Sequence, residues 1–356
     1  MSEQINVGFV GYGLGGRVFH TPLVNAVPSL RIHAIMSRSE EKQRHARADW
    51  DCQTVGTVEE LLADAAVDLV VVSTPHSTHR DLVIQCLQAG KHVVVDKVMA
   101  TSLAEADEMI AAAEKGDLLL NVFQNRRWDG DFLTIRHALA AGLLGQPYVC
   151  ESRVARWGLR RFTWRQSREM GGGPFCDWGA HVIDQLLLLF GAVESVWADF
   201  LYTDEFDVES AALCQVKHRN GVRSVFECGS ISRIERPRWY LRGSLGALRK
   251  IGLDPQEPRL VQGIVEGITP RGGEYESPEN WAEVVTEVAG LESRLTLKTL
   301  PGRYVTYYEN IADILLHGAE PLVKLSEVRD ELAVLDAAKQ SAATGEVVRM
   351  GAPSGP

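Results

Sequence analysis

The chain has no long apolar run. Its longest, Leu186 to Val193, covers about eight residues, against the roughly 18 that a membrane-spanning helix requires. It has no C-x-x-C pair either: Cys52, Cys86, Cys150, Cys176, Cys214 and Cys228 are scattered, as expected of reduced thiols in a cytosol. Basic charge is short, since 37 Lys and Arg against 47 Asp and Glu give 37 − 47 = −10. Nucleic acid and anionic membrane surfaces are therefore poor partners, because both require a surplus of Lys and Arg. The opening Met-Ser-Glu-Gln lacks the basic flank and apolar stretch of a signal peptide, so a cytoplasmic protein is expected. Internal repeats and low-complexity linkers are also missing. What is present is ordinary for a globular chain, 45% hydrophobic and 24% charged residues, which excludes disorder and collagen. At 356 residues the chain exceeds what one core usually supports, so two domains are expected.

The first third alternates β-branched runs with amphipathic stretches, the pattern of a parallel sheet wound with helices. Runs lie at Ile5–Val10, Arg31–Met36, Asp68–Ser73, His92–Val95 and Leu118–Phe123. Thr57 with Glu60, and Ser102 with Glu105, fit the S/T-x-x-E capping box. Gly90 suits the left-handed position that ends a helix. Strands apolar on both faces need helices on both sides, so residues 1–124 read as a doubly wound nucleotide-binding domain.

Beyond about residue 124 the pattern changes. A helix near Asp131–Ala141 precedes longer alternating runs near Tyr148–Arg156, Ser195–Tyr202, Ala211–His218, Val222–Cys228 and Trp239–Arg242. Asn220-Gly221 between two of them is a strong hairpin signal. Helices near Tyr304–His317 and Ser326–Ala343 close the chain, and residues 254–290, rich in Pro, Gly and Glu, read as a long loop. Residues 125–356 thus read as a second, α/β domain with a large, mostly antiparallel open sheet. Its last helix is free to pack back on the first domain.

Gly11-Tyr12-Gly13-Leu14-Gly15-Gly16 matches G-x-G-x-x-G and stands where a strand hands over to a helix. In that context backbone N–H groups hold a pyrophosphate; the alternative is a tight turn using glycine's freedom at positive φ. An acid about 20 residues on would bind the ribose 2′-hydroxyl of NAD. The chain has Ser37-Arg38 there, a hydroxyl and a guanidinium suited to the 2′-phosphate of NADP, unless Arg38 is a solvated turn residue. Asp96-Lys97 follows the run at Val93–Val95, at the sheet edge where such folds bind ligand. Lys97 there is a candidate proton carrier, or else a surface lysine. In Gly171-Gly172-Gly173-Pro174-Phe175-Cys176-Asp177-Trp178-Gly179-Ala180-His181, Asp177 and His181 are four apart, on one face of a helix. They make a plausible proton-transfer pair, against an N-cap with a core histidine. A metal pair is disfavoured, because no third ligand with suitable spacing is evident.

Together the glycine loop, Lys97 and the Gly-Gly-Gly-x-x-x-Asp-x-Gly-x-His run resemble the Gfo/Idh/MocA family (glucose–fructose oxidoreductase, inositol dehydrogenase and relatives). Ser73-Thr74-Pro75-His76-Ser77-Thr78-His79, Asn125-Arg126-Arg127-Trp128-Asp129 and Tyr304-Val305-Thr306-Tyr307-Tyr308 extend the likeness over nearly the whole chain. Within the family it is most similar to the branch of NADP-dependent scyllo-inositol dehydrogenases. The resemblance implies a Rossmann domain, a C-terminal α/β domain whose open sheet pairs homodimers or dimers of dimers, and reversible hydride transfer between NADP and a hydroxyl of a polyol or sugar. It implies catalytic roles for Lys97, Asp177 and His181. It further implies cofactor contacts at Gly11, Gly13, Leu14, Gly16, Ser37, Arg38, Thr74, Pro75, His79, Asp96 and Lys97, and substrate contacts at Arg127, Trp128, Asp177 and His181, with no metal. One departure stands out: the family's Glu-Lys-Pro is Asp96-Lys97-Val98 here, a shorter acid without proline's fixed φ or its cheap cis bond. A nucleotide-sensing regulator would be expected to lose the lysine or histidine, and the chain keeps both. An NAD-assisted glycosidase is the other alternative, which no residue singles out.

Overall fold

The β-branched runs of the first third form a parallel sheet of β1 (Ile5–Val10), β2 (Leu30–Met36), β3 (Gln53–Val55), β4 (Leu69–Val72), β5 (His92–Val95) and β6 (Leu120–Val122). In this computed structural model, which describes residues 4–158, 163–263 and 276–351, its order is β3-β2-β1-β4-β5-β6. Every neighbouring pair is parallel. Leu69–Val72 and Val93–Val95 are wholly buried, as strands covered on both faces must be. The short β3 is too brief and too polar to announce itself in the sequence.

The connecting helices start where their caps direct. Thr57 Oγ1 accepts from Glu60 N–H, and the Glu60 carboxylate accepts from Thr57 N–H in return. The second box closes differently. Ser102 Oγ accepts from Glu105 N–H, but the Glu105 carboxylate takes the N–H and hydroxyl of Thr101 instead. Gly90 sits at φ +76°, in the left-handed region that releases the chain from a helix.

Nine strands make the second sheet, introduced in chain order as β7 (Pro147–Ala155), β8 (Val193–Leu201), β9 (Ala211–His218), β10 (Arg223–Gly229), β11 (Trp239–Gly243), β12 (Gly246–Lys250), β13 (Ala282–Val288), β14 (Leu291–Leu297) and β15 (Val348–Arg349). Their order is β14-β13-β12-β11-β7-β10-β9-β8-β15, antiparallel except for β7 beside β10. The expected hairpin joins β9 to β10: Gly221 has φ +92°, and Asn220 Oδ1 accepts from Val222 N–H. The register sorts the side chains by face. Cys150, Ser152, Val154, Ala212, Cys214, Val216, Phe226, Trp239, Leu241 and Val284 share the buried face. The opposite face carries Glu151, Arg153, Glu227, Arg249 and Glu283, bridged by the pairs Arg153–Glu227 and Arg249–Glu283.

The long loop expected over 254–290 is corrected in part. Gln256–Val261 is a helix and Ala282–Val288 is β13. Pro258 falls within the first turn of that helix and no proline or glycine interrupts β13, but composition averaged over the window hid both elements. Residues 264–275 of that window lie outside the described residues.

The chain divides into two compact units, described separately below. The first holds the parallel sheet and takes in Arg303–Arg329; the second holds the nine-stranded sheet. Among the described residues no helix is long and apolar enough to cross a membrane.

Candidate active site

The strand order of the first sheet reverses between β1 and β4, and in open α/β sheets the crevice beyond the carboxyl ends at that point is where ligands bind. β1 runs directly into the glycine turn. Gly11 has φ +101°, and a side chain there would collide with the Ser73 carbonyl after β4. At Gly13 an added Cβ would meet nothing within 4 Å. The backbone at Gly13 therefore borders open space, as the second glycine of a pyrophosphate loop must. Gly16 packs against the Gly11 carbonyl, and Leu14 is exposed. Residues Gly15–His20 are π-helical and lead into the short helix Thr21–Asn25, a widened turn of a kind frequent at functional sites. Tyr12 donates to Asp49 Oδ2 at 2.8 Å, Trp50 Nε1 donates to Tyr12 at 2.9 Å, and Arg17 pairs with the same carboxylate at 2.8 Å. This clamp, reaching from Tyr12 to Trp50, 38 positions on, carried no readable motif. Burial, with the hydrogen bond to Asp49, pushes the Tyr12 phenol well up.

Ser37 and Arg38 stand at the end of β2. Ser37 is buried and its hydroxyl accepts from Ser39 N–H at 3.3 Å; Ser39 in turn caps the helix Glu40–Asp49. Arg38 is exposed, with its charge felt at Glu59.

Asp96 gathers the remaining groups of this unit. Its Oδ1 accepts from Lys97 N–H at 2.8 Å, and its Oδ2 accepts from Ser73 Oγ at 3.2 Å. His20 Nε2 faces Oδ2 at 3.4 Å. Burial would raise the acid, but the His20 contact and the charges of His20, Lys97 and His79 together hold it well below the usual carboxylate range. The shorter acid thus reaches the lysine's own backbone. The Lys97–Val98 peptide bond is cis although no proline follows, and Val98 is buried. His79, also buried, lies with Nδ1 2.8 Å from the Val98 carbonyl and Nε2 3.0 Å from that of Thr74. Carbonyls only accept, so a neutral ring can serve one of them at a time; burial holds the imidazole below its ordinary value despite Asp96 and these carbonyls. Thr74 hydrogen-bonds Thr78 through its hydroxyl at 2.7 Å, and the Pro75 carbonyl accepts from Thr78. His79 thus lies between two chain segments, one carrying Thr74 and the other following Lys97, and hydrogen-bonds one or the other.

The other candidates lie in the second unit. Gly173 (φ +104°) approaches the Glu209 carboxylate, which accepts from Phe175 N–H at 2.7 Å. The close approach that three glycines allow is thus made to the protein itself. Asp177 lies in a π-helical turn, Phe175–Gly179, and His181 near the start of the regular helix Ala180–Phe190. Arg165 Nε is 3.6 Å from the Asp177 carboxylate. His181 is buried with its ring edge-on to Trp178, whose indole also carries the guanidiniums of Arg126 and Arg156 at 4.2 and 4.9 Å. Arg127, expected on the substrate, is buried and gives both Nε and a terminal nitrogen to Asp184, one helical turn beyond His181. Trp128 is half-buried. Sequence reasoning missed Asp184, Gln185, Asp131 and Arg238. Arg238 donates to Gln185 at 2.7 Å and sits 3.2 Å from Asp131, to which Trp239 also donates. Such a buried polar cluster joins residues 108 apart, which no local pattern reveals.

The comparisons with known proteins agree with this geometry. Residues 5–124 match the oxidoreductase-family NAD-binding Rossmann fold, and residues 136–350 match the same family's C-terminal alpha/beta domain. The chain is 36% identical over 358 residues to the uncharacterized oxidoreductase YdgJ of Escherichia coli, covering 96% of this chain and 97% of that protein. It is 33% identical over 342 residues to scyllo-inositol 2-dehydrogenase (NADP(+)) IolW of Bacillus subtilis, covering 95% and 94%. Among solved structures, the YPO2259 putative oxidoreductase of Yersinia pestis superposes with a TM-score of 0.91 at 32% identity, covering 99% of each chain. A Rossmann sheet followed by a mostly antiparallel α/β sheet, matched over both halves, makes this chain a member of the Gfo/Idh/MocA family of oxidoreductases.

Proposed function

We propose that this protein is an NADP-dependent dehydrogenase acting reversibly on a secondary hydroxyl of a cyclic polyol or sugar. The observation that carries the reading is the placement of Lys97 directly after β5, anchored through Asp96 to Ser73, at the sheet edge where the glycine turn leaves open space beside Gly13. Residues of the first unit fit a dinucleotide: Gly11, Gly13, Leu14 and Gly16 for the pyrophosphate, Ser37 and Arg38 for a 2′-phosphate, and Thr74, Pro75 and Asp96 along the crevice, with His79 bracing it. NADP, when bound, supplies the hydride acceptor.

In the oxidative direction Lys97 takes the hydroxyl proton as the carbon loses hydride. Asp177 and His181 hold neighbouring hydroxyls, His181 passing the proton onward, and positioning of this kind lowers the entropic part of the barrier. Arg127, committed to Asp184, shapes the helix that carries His181, and Trp128 lines the substrate. The NADP-dependent scyllo-inositol dehydrogenase among the relatives supports both the cofactor and the substrate class. The test is a panel of inositols and aldoses with NADP or NAD, following the reduced cofactor. Turnover of a cyclic polyol with NADP preferred is expected. Tight NADP binding with no turnover of any alcohol would favour a nucleotide-sensing protein.

A further inference from the structure

His20 is wholly buried, and its ring is fixed on two sides: the Phe123 ring lies 4.2 Å away and Tyr308 OH is 2.7 Å from Nδ1. Among the described residues Nε2 has no well-aligned hydrogen-bond partner, and the acid it faces is Asp96, 3.4 Å away. An imidazole nitrogen buried without a partner costs free energy, so its orientation toward one carboxylate calls for a reason. Asp96 is also where the glycine turn meets the lysine: a side chain at Gly15 would come within 2.8 Å of Asp96 Oδ2, and Lys97 N–H bonds Oδ1. When Tyr308 donates to Nδ1, the ring proton of neutral His20 sits on Nε2 and points at the acid.

We propose that His20 is a positioning residue for Lys97: held by Tyr308 and Phe123, it fixes the Asp96 carboxylate that anchors the lysine and shares its negative charge. The charged groups acting on Asp96 are His20, Lys97 and His79, and those acting on Tyr308 are Tyr307 and Asp96. The role in turnover rests on the dehydrogenase reading, but the contact itself is tested without turnover.

The protein free of cofactor is labelled with pyridoxal phosphate and borohydride across a pH series, and modification of the Lys97 peptide is read by mass spectrometry. In His20→Phe the ring volume remains and the donor is lost. Asp96 then shares its charge with Lys97 and His79 but no longer with His20, and the labelling curve moves to higher pH by about half a unit. His20→Gln, which places an amide N–H near the position of Nε2, stays close to wild type. Tyr308→Phe, which frees the tautomer, moves the curve in the same direction as His20→Phe and serves should that variant not fold. Asp96→Asn moves it to lower pH, since the ammonium loses its counter-charge. In turnover, His20→Phe lowers kcat about tenfold, with KM and the NADP dissociation constant nearly unchanged. Curves of His20→Phe and Tyr308→Phe that superimpose on wild type would overturn the proposal, as would a shift in His20→Gln equal to that in His20→Phe. If no polyol is turned over by the wild type, the dehydrogenase reading fails while the labelling still decides this one.

Discussion

Asp96 shows how much one side chain sets at the residue scale. The acid accepts from the next residue's N–H and from Ser73, and faces His20, so it is held ionised by contacts absent in the unfolded chain. A carboxyl depressed on folding adds stability above its unfolded value, about 3.9, and that contribution is lost as pH falls toward the folded value. The stability difference between wild type and Asp96→Asn should therefore be flat above about pH 5 and shrink below about pH 4, as followed by urea titration. A difference that grows with falling pH would contradict this assignment. Arg38 makes a second residue-scale prediction. Its guanidinium is exposed, so Arg38→Ala should leave the fold and NAD binding nearly unchanged. NADP binding should weaken about tenfold or more, the scale of a charged hydrogen bond, measured by calorimetry; equal losses for both cofactors would remove the argument. Both residues were legible in the sequence because each sits at a fixed offset from a strand end. The contact between His20 and Tyr308 was not, because it joins positions 288 apart.

At the scale of elements, legibility followed length and apolar pattern. The parallel strands other than β3 announce themselves through valine and isoleucine, and β9 with β10 through Asn220-Gly221. β12 through β15 were missed. β15 spans Val348–Arg349 only, too short for any alternation to show, and β14 alternates weakly, with Ser293 among its leucines and no residue fully buried. The π-helical openings at Gly15–His20 and Phe175–Gly179 differ from regular helix by one residue per turn, below what spacing alone resolves. The β9–β10 turn offers a direct check. Gly221 occupies φ +92° with open space around it, so Gly221→Ala pays only for backbone conformation, about 1 kcal/mol. Thermal unfolding should fall by a few degrees, and an unchanged midpoint would show that the turn relaxes to negative φ.

On the scale of the whole molecule, the nine-stranded sheet has one buried face and one that mixes ion pairs with exposed apolar groups, among them Leu213 at 38%. We propose that this open face pairs two copies of the chain, since an uncovered sheet face of this size is ordinarily buried against something. Light scattering at micromolar concentration should give a dimer or a dimer of dimers, and Leu213→Lys should shift it toward monomer; a monomeric wild type would contradict the proposal. The dehydrogenase reading itself rests on Lys97. Replacing it by alanine alters neither the glycine turn nor Ser37 and Arg38, so the NADP dissociation constant should stay nearly constant. The chemical step should slow by roughly 10²–10⁴, the worth of a placed proton-transfer group, and kcat should fall more than KM rises. The most direct measurement is single-turnover hydride transfer by wild type and Lys97→Ala at several pH values. The account predicts a slowed step that has lost one limb of its pH dependence; comparable rates in the two proteins would show that Lys97 is not the proton carrier.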